Sequence, residues 1–227
     1  MGTQRPEPRP SYDWVFQATH DITKAYATAP SYPVGKEQTF YLSGTSTPGA
    51  DGALVTNRNQ VRPGTSSYSN AGPLGPNYTE TSGLDQTQPV TDPPGTAIRF
   101  ATAPRTKPMD VVGPARLTGP VTAPSVALTQ GAGPAGQLVA FAKLYDVGPD
   151  GAIELPHRLI APVRVADVTK PVTIELPAIV HRFEAGHRLV VVLAGGDMAY
   201  RGSDAAQPVS LTTGGTFTQQ LTVPVVS

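Results

Sequence analysis

Cysteine is absent from this 227-residue chain, which excludes disulfide staples, thiolate zinc sites and cysteine nucleophiles together. Charge is scarce and balanced: 17 basic and 17 acidic residues leave a formal net charge of zero. Nucleic-acid binding takes much of its affinity from a basic surface, and with no basic stripe here no nucleic-acid partner is expected. No stretch reaches the roughly eighteen apolar residues of a membrane-spanning helix, so no membrane partner is expected either. The amino-terminal MGTQRPEPRPSYDW has no apolar h-region, and Pro6 stands where a myristoylation signal wants Ser or Thr. As it stands the sequence reads as soluble and cytoplasmic, or as secreted if it is a fragment of a longer precursor.

What the chain does have is proline (25) and glycine (23), more than a fifth of its residues, without a collagen period or an internal repeat. They fall between short β-rich runs, the punctuation of sandwiches and barrels. A chain this long buries about 70% of its extended surface, enough for a core without staples. Residues 1–36 read as a lead-in or linker with a weak helical or irregular patch around Trp14–Tyr26. Residues 37–95 carry a strand at Gln38–Ser43 and a short one at Ala53–Val55. The rest of 44–95 reads as a long loop that wraps over another surface, anchored by Tyr68, Leu74, Tyr78 and Leu84.

From residue 96 the strand signals become regular: Thr96–Ala101, Met109–Val112, Ala115–Val121, Ser125–Leu128, Gln137–Val147, Arg158–Val165, Val172–Leu176, His187–Ala194, Val209–Thr212 and Phe217–Val223. Val172, Ile174 and Leu176 alternate with polar residues, as in a half-buried strand. Leu138–Leu144 and Leu189–Leu193 are apolar on both parities, so they are expected centrally, covered on both faces. Gly148, Pro149 and Asp150-Gly151 stop the longest strand and turn it. The expected fold is all-β, a jelly-roll β-sandwich spanning 96–227, with 37–227 forming one domain.

Several motifs occur in a telling order. Tyr32-Pro33 precedes Phe40-Tyr41-Leu42, followed by Gly52-Ala53-Leu54, Phe100–Pro104 and Val112-Gly113. Then come Leu144–Gly151 (LYDVGPDG), Phe183–Leu189 (FEAGHRL) and Gly196–Tyr200 (GDMAY). In this series the chain resembles the C-terminal jelly-roll domain of the X-Pro dipeptidyl-peptidase and cocaine-esterase family of serine hydrolases, from about residue 30 onward. It departs from the family at Gly131–Gly136 (GAGPAG), where an Asp-Thr-Asp step is common, so a carboxylate role at that edge does not carry over. The resemblance implies a galactose-binding-like sandwich beside an α/β-hydrolase catalytic domain, in cis or as a separate chain. It also implies a covering and stabilising role, contributing to substrate access or oligomer packing. The family's nucleophilic serine, aspartate and histidine belong to the other domain. No G-x-S-x-G elbow occurs here, and no catalytic, cofactor-binding or metal residue is assigned.

Four constellations of polar or aromatic residues have ordinary structural roles as their competing explanation. His181, Glu184 and His187 have the spacing H-x-x-E-x-x-H, but metalloprotease histidines sit at i and i+4 on a helix, whereas Gly186 and the apolar run after it favour a turn histidine. His20 with Asp13 or Asp21 lacks a scaffold to hold a triad. Asp146 and Asp150 suit turn hydrogen bonding better than calcium, which takes six to eight oxygens. Tyr12, Trp14, Tyr26 and Tyr32 read as packing against a neighbouring domain rather than as a sugar platform. Arg158, Arg164 and Arg188 read as solvated strand faces. An independent carbohydrate-binding or interaction module is the second reading, and it requires exposed aromatics along one sheet face.

Overall fold

The computed structural model describes residues 12–15, 26–29, 32–70, 90, 92–200, 202–203 and 205–226. Its strands are β1 (Tyr12–Val15), β2 (Tyr26–Ala29), β3 (Lys36–Ser43), β4 (Gly52–Val55), β5 (Gly64–Ser69), β6 (Ala97–Ala101) and β7 (Met109–Gly119). After the short helix α1 (Pro124–Thr129) come β8 (Leu138–Val147), β9 (Ile153–Glu154), β10 (Ala161–Val165), β11 (Val172–Phe183), β12 (Arg188–Ala194), β13 (Pro208–Thr213) and β14 (Gln220–Val226).

One curled sheet runs β10-β8-β12-β6-β4-β3-β14-β7-β11, with β9 added to the end of β8. Every pairing along it is antiparallel except β4 with β6, where Gly52 lies opposite Phe100 and Ala53 opposite Ala101. The sheet curls so far that its two ends, β10 and β11, come back into contact. The result is an all-β sandwich. One layer contributes Phe40, Val111, Leu117, Phe183 and Leu221 to the shared core, and the other contributes Phe100, Leu138, Leu144, Leu189 and Val191.

The doubly apolar strands lie where their pattern requires. Leu138, Ala140, Ala142 and Leu144 of β8 face the shared core, while Phe141, Tyr145 and Val147 form a second cluster on the outer face with Val190, Val192 and Ala194 of β12. Leu155 and Ile160, carried by the segment after β9, help cover that outer face.

Prolines account for most of the differences from the sequence expectation. Val172–Leu176 is expected to stop before Pro177, yet β11 runs on to Phe183, its register shifting between Glu175 and Ala178. A bulge takes the residue without an N–H out of the ladder and lets the strand continue. β7 likewise passes through Gly113-Pro114, merging two expected strands, and β14 absorbs Pro224 in a register shift between Thr222 and Val225. Ser125–Leu128, expected as a strand, is α1 instead, with Pro124 in its first turn where a missing N–H costs nothing. Within 44–95 the chain also forms β5, which pairs with β13 and buries Tyr68. Leu74, Tyr78 and Leu84 lie outside the described residues. The expected helical patch has β1 and β2 at its two ends, paired antiparallel. Phe217 falls before β14, in the connection from β13, and is 69% exposed.

The parallel seam depends on Gly52. A Cβ built there would lie 2.4 Å from the Phe100 ring, so only glycine lets the ring cover the strand. Overpacking of this kind costs about 1–3 kcal/mol. Gly52→Val is expected to lower the melting temperature by about 2–12 °C in calorimetry, at about 2–4 °C per kcal/mol for a domain of this size. An unchanged melting temperature contradicts this account of the seam.

Candidate functional site

Two buried polar clusters interrupt the apolar interior, one on each face of β8. The first centres on Asp146, whose side chain points into the shared core and is 4% exposed. Its Oδ2 lies 2.8 Å from His181 Nε2, and its Oδ1 lies 2.8 Å from His187 Nδ1. His181 projects from β11 in the opposite layer, is equally buried, and meets the Phe183 ring edge-on. His187 belongs to the β11–β12 turn, whose Gly186 adopts φ +87°. Glu154 of β9 lies directly across the ladder from Asp146. The cluster therefore ties the two layers together at one end of the sandwich.

The second cluster sits on the outer face. Lys143, 1% exposed, places its Nζ 2.7 Å from both Asp92 Oδ1 and Asp197 Oδ2. Tyr145, two residues along the same face, donates to Asp92 Oδ2 at 2.5 Å. Arg99 stacks over the Tyr145 ring at 5.8 Å and reaches Asp51 at 3.0 Å. Burial alone would pull the Lys143 ammonium down, but the two carboxylates outweigh it and hold its pKa above the ordinary lysine value. Burial, reinforced by Asp92, pushes the Tyr145 hydroxyl well above the usual phenol range, and burial does the same to Tyr68.

The H-x-x-E-x-x-H spacing separates in space. His181 and His187 converge, but on Asp146, and Glu184 is exposed and supplies only its carbonyl, which accepts from the His187 N–H. Asp150 does make the expected turn, accepting from the Ala152 N–H at 3.0 Å. Asp146 does not; its oxygens go to the two histidines rather than to backbone. His20 and Asp21 lie outside the described residues, as do the side chains of Tyr12, Asp13, Trp14 and Tyr26, whereas Tyr32 is 51% exposed. Phe100, Phe141, Tyr145 and Phe183, aromatics that a sugar-binding face would have to display, are buried. The three arginines share no face: Arg158 sits in a single 3-10 turn at φ 52°, Arg164 donates to the Pro134 carbonyl, and Arg188 lines an open trough of about 750 Å³ with Asp51, Thr102 and Pro149.

Sequence reasoning missed the Lys143 cluster. Its one signal was a lysine inside a run apolar on both parities, which cannot be buried without a counter-charge. The location of that counter-charge, in the loops holding Asp92 and Asp197, is a tertiary fact.

Lys143, Tyr145 and Tyr68 together set an alkaline limit. Each keeps its proton in the folded chain after the unfolded chain has lost it near pH 10, so the stability they contribute is complete below about pH 10 and is lost as pH rises further. Denaturant titrations are expected to show stability level from pH 8 to about 10 and falling above it, with a shallower fall for Tyr145→Phe. A decline already complete at pH 9 contradicts these assignments. Lys143→Met leaves two buried carboxylates unpaired and is expected to cost about 3–5 kcal/mol at neutral pH.

No curated protein matches the chain. Among solved structures, an aminopeptidase from a marine sediment Thaumarchaeota archaeon superposes with a TM-score of 0.61 at 14% identity, over 90% of this chain and 39% of that one. A CocE/NonD family hydrolase from Staphylococcus aureus gives 0.59 at 16% identity, over 88% and 39%. An α-amino acid ester hydrolase gives 0.58 at 15%, over 89% and 39%. At these identities the likeness is one of fold, and the chain spans about two-fifths of each of these proteins. The family model for the X-Pro dipeptidyl-peptidase C-terminal non-catalytic domain matches residues 7–221, nearly the whole chain, and this protein belongs to that family.

Proposed function

We propose that the chain is the non-catalytic partner of an α/β-hydrolase catalytic domain, covering and stabilising it and shaping the access of X-Pro peptides or small acyl esters to its serine. The observation that carries this reading is the family match over 7–221 in a chain two-fifths the length of its hydrolase-like structural neighbours. The polar clusters support it. Among the described residues the paired histidines meet Asp146 and no hydrogen bond joins a serine to a histidine, so the buried charges brace strands. Residues 37–227 act as one unit in this reading, since β3 and β4 share the curled sheet with β6–β12. The winding of that sheet is taken as a jelly roll.

The partner is seated on the end of the sandwich where β7 finishes. Leu128 on α1 is 89% exposed and Phe217 in the β13–β14 connection is 69% exposed, the two most exposed large apolar side chains among the described residues. Their connections are tied to one another by the bond from Gln219 Nε2 to the Pro120 carbonyl, 2.9 Å. Contiguous apolar surface marks contact sites, and in this reading the two side chains on these tied connections belong to one such patch.

In the polypeptide that carries both bodies, Leu128→Asp combined with Phe217→Asp is expected to leave the sandwich's own unfolding within about 1 °C, because neither side chain is packed. The same variant should lower the melting of the hydrolase domain and cut turnover of an Ala-Pro anilide or aryl ester at least tenfold. Unchanged activity and melting overturn the seating. Turnover by this chain alone, abolished by a single substitution within it, overturns the non-catalytic reading, and self-association through this end would assign it to oligomer packing instead.

A further inference from the structure

We propose that Asp146, Glu154 and His181 form a zinc site that clamps the two layers of the sandwich. One ligand atom from each of the three side chains lies within 4.8 Å of the others. They come from three strands of different origin: Asp146 from β8, Glu154 from its ladder partner β9, and His181 from β11 in the opposite layer. Bonds of about 2.0–2.2 Å in a tetrahedral zinc site set ligand atoms about 3.4 Å apart, so small side-chain rotations suffice to close the set.

The burial pattern is that of a site with one open side. Asp146 and His181 are both 4% exposed, whereas Glu154 is exposed at the surface. The exposed carboxylate offers an entry path and leaves room for a water as fourth ligand. His187 supplies the orienting contact that metal-bound carboxylates commonly receive: its Nδ1 holds Asp146 Oδ1 at 2.8 Å and leaves Oδ2 facing His181 Nε2. One imidazole nitrogen with two carboxylates favours zinc over calcium or magnesium, which prefer all-oxygen sets. Zinc bound there replaces the contact between His181 Nε2 and Asp146 Oδ2, and any proton carried by Nε2 passes to Nδ1 or to solvent.

Such a site braces a chain without disulfides at the place where β8 and β11 face each other across the core. It lies away from the Leu128 and Phe217 end and stands independently of any hydrolase partner. Its test therefore fails or succeeds apart from the functional reading.

The metal-stripped full chain is titrated with zinc chloride in calorimetry and with cobalt chloride in visible absorption. One equivalent is expected to bind, cobalt should show the intense d–d bands of four-coordination, and zinc at a hundredfold excess over its Kd should raise the melting temperature by about 5–10 °C. Glu154→Gln, at an exposed position that leaves folding intact, should weaken zinc at least about tenfold without moving the metal-free melting temperature. Glu184→Gln should change nothing. Absence of both the zinc-dependent shift and the cobalt bands overturns the proposal, and so does zinc binding in Glu154→Gln equal to that of the unsubstituted chain.

Discussion

The Lys143 ammonium is the constraint around which the outer half of this molecule is arranged. It stands in a strand apolar on both faces, paired on either side, where no water reaches it. A buried cation is tolerable only with counter-charge and filled hydrogen bonds, so the chain must deliver carboxylates to that spot. Asp92 arrives from the segment before β6 and Asp197 from the loop after β12, and Asp92 also takes the Tyr145 hydroxyl. Two loops far apart in sequence are thereby fastened over Phe141, Tyr145, Val190 and Val192. The ion pairs fix where the loops lie, and the apolar area beneath them provides the driving force for closing.

The outer face of β8 and β12 is closed by the chain's own segments, and their inner face is spent on the shared core. The large apolar side chains still exposed among the described residues include Leu128 and Phe217, both in connections at the end where β7 finishes. At the opposite end, where β8 turns into β9, Asp146 fastens His181 and His187. Apolar exposure is heavier at the first of these ends, where Leu128 and Phe217 are 89% and 69% exposed, than beside the charged cluster, where Ile153 is 37% exposed.

Much of this was legible in the sequence because it rests on local rules. Two-sided apolarity marked β8 and β12 as strands covered on both faces, though they lie beside the β10 edge rather than midway along the sheet, and Asp150-Gly151 with Pro149 marked the turn after β8. The family motifs lie on the elements that build the fold: Gly52 sits under the Phe100 ring, and LYDVGPDG carries Tyr145, Asp146 and the turn. What was not legible depends on partners distant in sequence. Pro114, Pro177 and Pro224 read as strand breaks, yet bulges and register shifts, set by the neighbouring strand, carry the ladder past them. Ser125–Leu128 has strand-like composition, and the missing N–H of Pro124 with the return to Gly136 makes it helical instead. The histidine spacing pointed at Glu184, but the acceptor that unites His181 and His187 lies about forty residues earlier, on another strand.

Hydrogen–deuterium exchange of the sandwich, with and without the proposed hydrolase domain attached, tests most directly whether this chain is a covering body seated by one end. Slower exchange is expected in residues 120–137 and 214–219 when the domain is present, with residues 138–147 and 188–194 equally protected in both states. Slowing confined to the trough around Asp51 and Arg188, or no difference anywhere, would contradict the account.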